Sequence, residues 1–265
     1  MSVPVALTIA GSDSSAGAGV EADLKTFSAF GVYGACVMTA LTAQNTKGVF
    51  AVHDVPADFV AAQINAVFTD LDIGAVKIGM LANAAAIDVV AAALDRYRPR
   101  NIVLDPVMIA SSGQRLLREN AIERLLELIR RADVLTPNLA EAAVLLDAPL
   151  ARDESEMRAQ AEALLALGVG AVLIKGGHGG GPESVDFLVH ADGCLRLAAP
   201  RVPTRNTHGT GCTLASAIAA GLARGLPLGE AVRQAKDYLG AAIAAADRLG
   251  VGTGHGPVHH FHAWW

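Results

Sequence analysis

Short apolar runs alternate along this chain with stretches in which apolar positions recur every three or four residues, the signature of strands alternating with amphipathic helices. The first run, residues 3–10, predicts a strand ending at Gly11-Ser12-Asp13-Ser14-Ser15, and Ala16-Gly17-Ala18-Gly19 opens a predicted helix through about Phe30. Residues 33–42 read as one buried strand and 49–55 as a further one, and Pro56 starts a helix with Val60, Ile64 and Val67 on one face. Strands follow at 75–78, 102–104, 134–135 and 171–174, separated by helices at 84–98, 119–130, 139–146 and 154–167. Residues 184–189 and 194–198 predict a hairpin around Asp192-Gly193; a helix then runs from the 207–213 stretch through Leu222, and a long one follows at 227–249.

This alternation predicts an α/β sandwich: a mostly parallel central sheet with helices on both faces and ligands beyond the carboxyl ends of the strands. Those ends carry Gly11, Gln44, Met80, Asp105, Asn138 and Lys175. Neither a linker nor an internal repeat interrupts the pattern, so residues 1–265 read as a single domain.

Composition narrows the partners. Hydrophobic residues make up 52% and charged residues 18% of the 265, which describes a large core. No apolar run reaches the ~18 residues needed to cross a bilayer. The first lysine is Lys25, so the apolar start reads as a strand and not a secretion signal. A formal net charge of -5 without a basic run argues against nucleic acid, so any phosphate site must be local. Cys36, Cys194 and Cys212 are odd in number and lack metal-ligand spacing, which suggests reduced thiols in the cytoplasm.

The strongest chemical signal is Thr207-His208-Gly209-Thr210-Gly211-Cys212-Thr213, running into a helix apolar nearly all round. Leading N–H groups of a helix lack internal partners, and the helix dipole places partial positive charge there. Glycines let an anion approach closely, so the place suits phosphate. The same field would lower the Cys212 thiol pKa, whereas an incoming phosphate would raise it. Asp23 borders the inward stripe of its helix, and Lys236 falls on the inward side of the 227–249 helix, which calls for an anion partner. Gly17-x-Gly19-x-x-Ala22 resembles a dinucleotide fingerprint. It lies well past the strand, however, with no acid between Asp23 and Asp54. His255, His259, His260 and His262 cluster without Cys or carboxylate, a poor metal set.

Five ordered motifs resemble the hydroxymethylpyrimidine/phosphomethylpyrimidine kinase family of the ribokinase-like superfamily. They are the 11–19 run, Asp105-Pro106-Val107-Met108, Thr136-Pro137-Asn138-Leu139-Ala140-Glu141-Ala142, Lys175-Gly176-Gly177-His178, and Asn206 through Thr213. The resemblance implies transfer of the ATP γ-phosphoryl to 4-amino-5-hydroxymethyl-2-methylpyrimidine and then to its monophosphate. It implies Cys212 as base, with the backbone of Gly209, Thr210 and Gly211 holding the phosphoryl. Gln44, Asp23, Gly11, Met80 and Val107 are then expected on the pyrimidine, and Lys175, Thr207, Lys236 and Asn138 on ATP. Asp105 and Glu141 are expected on Mg²⁺, and the chain as a homodimer. Pyridoxine/pyridoxal kinases that share the cysteine form of the motif are the alternative, and a non-catalytic nucleotide- or pyrimidine-binding protein is a further one.

Overall fold

The computed structural model describes residues 3–108, 117, 121–177 and 181–265. Its elements follow as β1 (Val5–Ala10), α1 (Gly19–Ala29), β2 (Tyr33–Met38), β3 (Ala40–Asn45), β4 (Gly48–Asp54), α2 (Ala57–Phe68), β5 (Ala75–Ile78) and α3 (Ala84–Tyr97). Then come β6 (Ile102–Leu104), α4 (Ile122–Ile129), β7 (Val134–Leu135), α5 (Leu139–Leu146), α6 (Glu154–Leu165) and β8 (Ala171–Lys175). The chain continues through β9 (Glu183–His190), β10 (Gly193–Pro200), α7 (Thr210–Ala223) and α8 (Leu228–Ala244).

Among the described residues the main sheet runs β10-β9-β8-β7-β6-β5-β1-β2, parallel from β2 through β8 and antiparallel at the β8-β9-β10 edge. Strands buried on both faces read as near-continuous apolar runs, as in β5, β7 and β8. Alternate side chains feed two cores. Leu7, Ile9, Val76, Ile78, Leu104 and Leu135 join the cluster that holds Val60 of α2, Ile87 of α3 and Leu125 of α4. Ala6, Ala75, Val103 and Val134 face α7 and α8 instead. There the side chains are small because α7 is buried from Thr213 through Leu222; a Cβ on Gly221 would meet that of Ala231 at 2.9 Å.

The predicted single strand at 33–42 is two strands. β2 ends at Met38, and β3 leaves the main sheet to pair antiparallel with β4 in a separate two-stranded sheet. Thr39 makes the break: its N–H donates to the Ala10 carbonyl at 2.9 Å, its hydroxyl to the Met80 carbonyl at 2.7 Å. Neighbouring β1 ends at Ala10, so β2 has no ladder to continue. The predicted 227–249 helix stops at Ala244 and tightens into a 3₁₀ turn at Ala246–Arg248, where Asp247 accepts from Asn206 Nδ2 at 2.7 Å. His178 of the glycine run, and residues 119–120 of the predicted 119–130 helix, lie outside the described residues.

Candidate active site

Loops at the carboxyl ends of β1, β5, β6, β7 and β8 meet the N-terminus of α7 around a cleft of about 500 Å³. The glycine-rich start of α7 forms one wall. Gly209 has a left-handed φ of +82°, and a Cβ there would lie 1.9 Å from the Gly17 carbonyl oxygen. The first-turn backbone is therefore pressed against the loop after β1, which only glycine permits. Gly211 faces the opposite wall, its Cβ position 3.5 Å from both Asp105 Oδ2 and Lys175 Nζ. A carboxylate, an ammonium and the first turn of α7, whose Gly211 N–H has no helical partner, thus converge on one spot.

Asp105 sits just past β6 because the parallel ladder ends at Leu104. Its Oδ1 accepts from Lys175 Nζ at 2.8 Å and from Thr136 Oγ1 at 3.1 Å. Burial alone would lower the Lys175 pKa, but Asp105 and Glu141 outweigh it and keep the ammonium charged. Asn138 and Glu141 form a capping box on α5, with Asn138 N–H donating to Glu141 Oε2 at 2.8 Å and Glu141 N–H to Asn138 Oδ1 at 2.9 Å. Asn138 Oδ1 is thereby committed to the helix, and its amide nitrogen remains for a ligand. Burial pushes the Glu141 carboxyl up to about 7, with Lys175 opposing and Asp105 reinforcing. Among the described residues no group of three or more His, Cys, Asp or Glu is gathered as a metal site. Asp105 and Glu141 nonetheless fit a Mg²⁺ ion, which is commonly held by one or two carboxylates plus substrate phosphates and water.

Lys236 of α8 donates to Asp186 Oδ2 and to the Ser184 carbonyl at 3.1 Å, at the cleft end away from β1. Thr207 is exposed at the rim. At the other end Met80 and Val107 pack with Ala40 and Ala82 into a small apolar wall, and a Cβ on Gly11 would lie 3.2 Å from the Met80 sulfur. Gln44 lines the cleft above it, within 3.3 Å of His208 Nε2 and 3.1 Å of Thr42 Oγ1.

One expectation is corrected. Asp23 does not line the cleft: it is fully buried beneath it, accepting from Thr8 Oγ1 at 2.6 Å, Ser216 Oγ at 2.6 Å and Lys77 Nζ at 2.8 Å. Its stripe position sends it into the α1–α7 packing, where those partners satisfy it. The balance at Cys212, which the sequence leaves open, falls toward the thiol. Burial pushes the thiol up to about 11, with Lys77 and the Gly19 N–H opposing, Asp23 and Asp105 reinforcing.

Lys77, Asp13, His208 and Asp186 belong to the same assembly without having been singled out. Asp13 holds the loop after β1: Oδ2 accepts from Gly17 and Ala18 N–H at 3.1 and 2.9 Å, and Oδ1 from Ser15 N–H at 2.9 Å. His208 Nε2 lies 2.7 Å from Asp13 Oδ2, tying this loop to the α7 motif. Burial would raise the Asp13 carboxyl, but His208 and Ser15 outweigh it and hold it down at about 2. Residues 254–258 complete the wall, with His255 N–H on the Thr46 carbonyl at 2.8 Å and His208 N–H on the Gly256 carbonyl at 3.1 Å. A signal for Lys77 was present: a lysine in a four-residue strand of a parallel sheet has no solvent face and needs a buried partner.

Residues 13–259 match the family described as phosphomethylpyrimidine kinase. The chain belongs to that family. A Rhizobium meliloti protein named hydroxymethylpyrimidine/phosphomethylpyrimidine kinase is 59% identical over 262 residues, 98% of each chain. Among solved structures, phosphomethylpyrimidine kinase from Clostridium difficile is 45% identical with a TM-score of 0.80, over 91% of this chain and 100% of that one. Pyridoxal kinase from Staphylococcus aureus, in complex with AMP-PCP and pyridoxal, is 31% identical with a TM-score of 0.89, over 98% of this chain and 94% of that one. The fold is the ribokinase-like three-layer sandwich, and the chain is a phosphotransferase. No helix among the described residues is long and apolar enough to cross a membrane.

Proposed function

We propose that this cleft transfers the ATP γ-phosphoryl to the hydroxymethyl oxygen of 4-amino-5-hydroxymethyl-2-methylpyrimidine, and then to the monophosphate so formed. The activity is that of the family, in thiamine biosynthesis. The observation that carries the assignment of parts is the convergence of Asp105, Lys175 and the α7 N-terminus on Gly211. Phosphoryl transfer asks a protein mainly for positioning and charge stabilisation. The N–H groups of Gly209, Gly211 and Cys212 receive the migrating phosphoryl, while that of Thr210 is held by the Thr207 carbonyl at 3.3 Å; loss of one such donor costs roughly 3 kcal/mol of barrier. Lys175 and Lys236 neutralise the ATP phosphates, and Thr207 and the amide nitrogen of Asn138 donate to them. Asp105 and Glu141 hold Mg²⁺, whose chemistry is neutralisation of the phosphate charge. Gln44 offers donor and acceptor to the aminopyrimidine edge, while Gly11, Met80 and Val107 flank the ring.

As the alcohol oxygen bonds to the γ-phosphorus, the bond from that phosphorus to the β-bridging oxygen breaks and the alcohol proton passes to the Cys212 sulfur. The reacting sulfur is the thiolate, a minor form in the resting cleft. Exposed Leu41, Phe50 and Val52 on the two-stranded sheet support a homodimer, and free thiols at Cys36, Cys194 and Cys212 support a cytoplasmic setting.

Phosphorus NMR of products from ATP and the hydroxymethylpyrimidine tests this reading. Two successive phosphoryl additions are expected, both lost in Cys212→Ala with ATP affinity retained. No addition by the unaltered protein, or faster turnover of pyridoxal in parallel, would overturn it.

A further inference from the structure

Lys77 is a fully buried cation that the transfer as described does not use. It stands in the middle of β5, between β1 and β6, yet it reaches the cleft floor. A Cβ on Gly79 would lie 2.7 Å from its Nζ, so the ammonium extends toward the strand's carboxyl end, where the reaction takes place. Nζ donates to Asp23 Oδ2 at 2.8 Å, and Ser216 Oγ donates to Asp23 Oδ1 at 2.6 Å. Ser216 follows Cys212 by four residues, and positions i and i+4 share one helix face. The Asp23–Lys77 pair is therefore seated under the side of α7 that carries the thiol. An ammonium has three N–H donors; among the described residues Asp23 is its one hydrogen-bond acceptor, which leaves two. The titratable groups around it are Asp23, Asp105 and Cys212; burial works against the ammonium, and these three outweigh it.

We propose that Lys77 is a positioning residue for phosphoryl transfer, its ammonium acting through the Cys212 sulfur and Asp23 serving as its anchor. The inference rests on the assignment above of the reacting alcohol to the Cys212 end of the cleft. When the alcohol proton moves to sulfur, the negative charge leaves the sulfur and appears on the oxygen forming its bond to phosphorus. A fixed cation in the cleft floor offsets that negative charge as it passes from sulfur to oxygen without having to move, which is electrostatic preorganisation.

The competing role is purely structural, a cation that offsets the buried Asp23 carboxylate. Removing both charges separates the two. A buried ion pair replaced by neutral groups of similar shape is commonly neutral for stability, whereas removing one partner is not. Lys77→Met/Asp23→Asn is expected to keep the native circular dichroism and KM for ATP within about threefold, while kcat falls by about 100-fold or more. A double variant with kcat within about threefold of the unaltered protein overturns the proposal. In Lys77→Ala, which opens a cavity at the cleft floor, added ethylammonium is expected to restore kcat by about tenfold, and isosteric propane to restore nothing. Equal effects of the two additives also overturn it. If the unaltered protein transfers no phosphoryl, the functional reading fails; if it does and the double variant keeps its kcat, the role of Lys77 alone fails.

Discussion

Replacing Gly209 or Gly211 by alanine adds the same methyl group two residues apart, with opposite expected consequences for stability. At Gly209 the new Cβ lands 1.9 Å from the Gly17 carbonyl oxygen at a φ of +82°. Ordinary contact begins near 3.4 Å, so the α7 motif and the loop after β1 must separate by about 1.5 Å. Left-handed backbone costs an alanine about 1–2 kcal/mol and overpacking a further 1–3 kcal/mol, roughly 2–5 kcal/mol together. For a chain of this size that lowers Tm by about 5–15 °C. Displacing a reacting group by about 1 Å costs about 100-fold in rate, so kcat falls by at least that. At Gly211 the added Cβ meets Asp105 Oδ2 and Lys175 Nζ at 3.5 Å, an ordinary contact, and the helix gains up to about 1 kcal/mol. Gly211→Ala therefore keeps its Tm but loses turnover, because the methyl occupies the place of the migrating phosphoryl. Thermal unfolding and ADP release measured on both variants decide the matter. A Gly209→Ala protein with unaltered Tm would refute the close backbone approach, and a fully active Gly211→Ala protein would refute the position given to the phosphoryl.

If the Cys212 thiolate takes the proton, its form about four pH units above neutrality makes kcat rise about tenfold per unit between pH 7 and 9, a flat profile sending the proton elsewhere. Burial holds His260 down at about 3, where it pairs with Thr213 Oγ1 at 3.0 Å. Its unfolded pKa is near 6.5, so the unfolded chain binds the extra proton; the stability is present above 6.5 and drains away toward 3, by up to roughly 5 kcal/mol. Urea midpoints should fall through that window and fall less in His260→Gln; parallel slopes would exclude His260. Gln44→Ala should raise KM for the pyrimidine about tenfold or more and leave KM for ATP unchanged, while Lys236→Ala should do the reverse. Equal changes in both constants would remove either assignment.

The strand ends were legible in the sequence because a parallel sheet forces polar residues to its carboxyl edge: Asp105, Asn138 and Lys175 stand immediately past or at the ends of apolar runs that could only be buried strands. The break at Thr39 was not, since an apolar run of that length fits one strand as well as two. What divides it is the hydroxyl of Thr39 reaching Met80, a contact with no local trace. Asp23 shows the same limit. Its place on the inward stripe was correct, but the stripe says only that a residue points inward. Whether it meets a ligand or Lys77, Thr8 and Ser216 depends on partners 54, 15 and 193 residues away. The Cys212 thiol turned on burial and on Asp23 and Asp105, neither of which the local sequence around the thiol displays.

The wall of the cleft is stitched from distant pieces of chain: the loop after β1, the β3–β4 turn at Thr46, the α7 motif, and residues 254–258, which hold both Thr46 and His208 by backbone hydrogen bonds. Those residues follow, in chain order, everything else that shapes the cavity. Neither the sheet nor the two cores includes the stretch that fastens Thr46 to His208. The wall is thus closed by a stretch far in sequence from the sheet that carries most of the site.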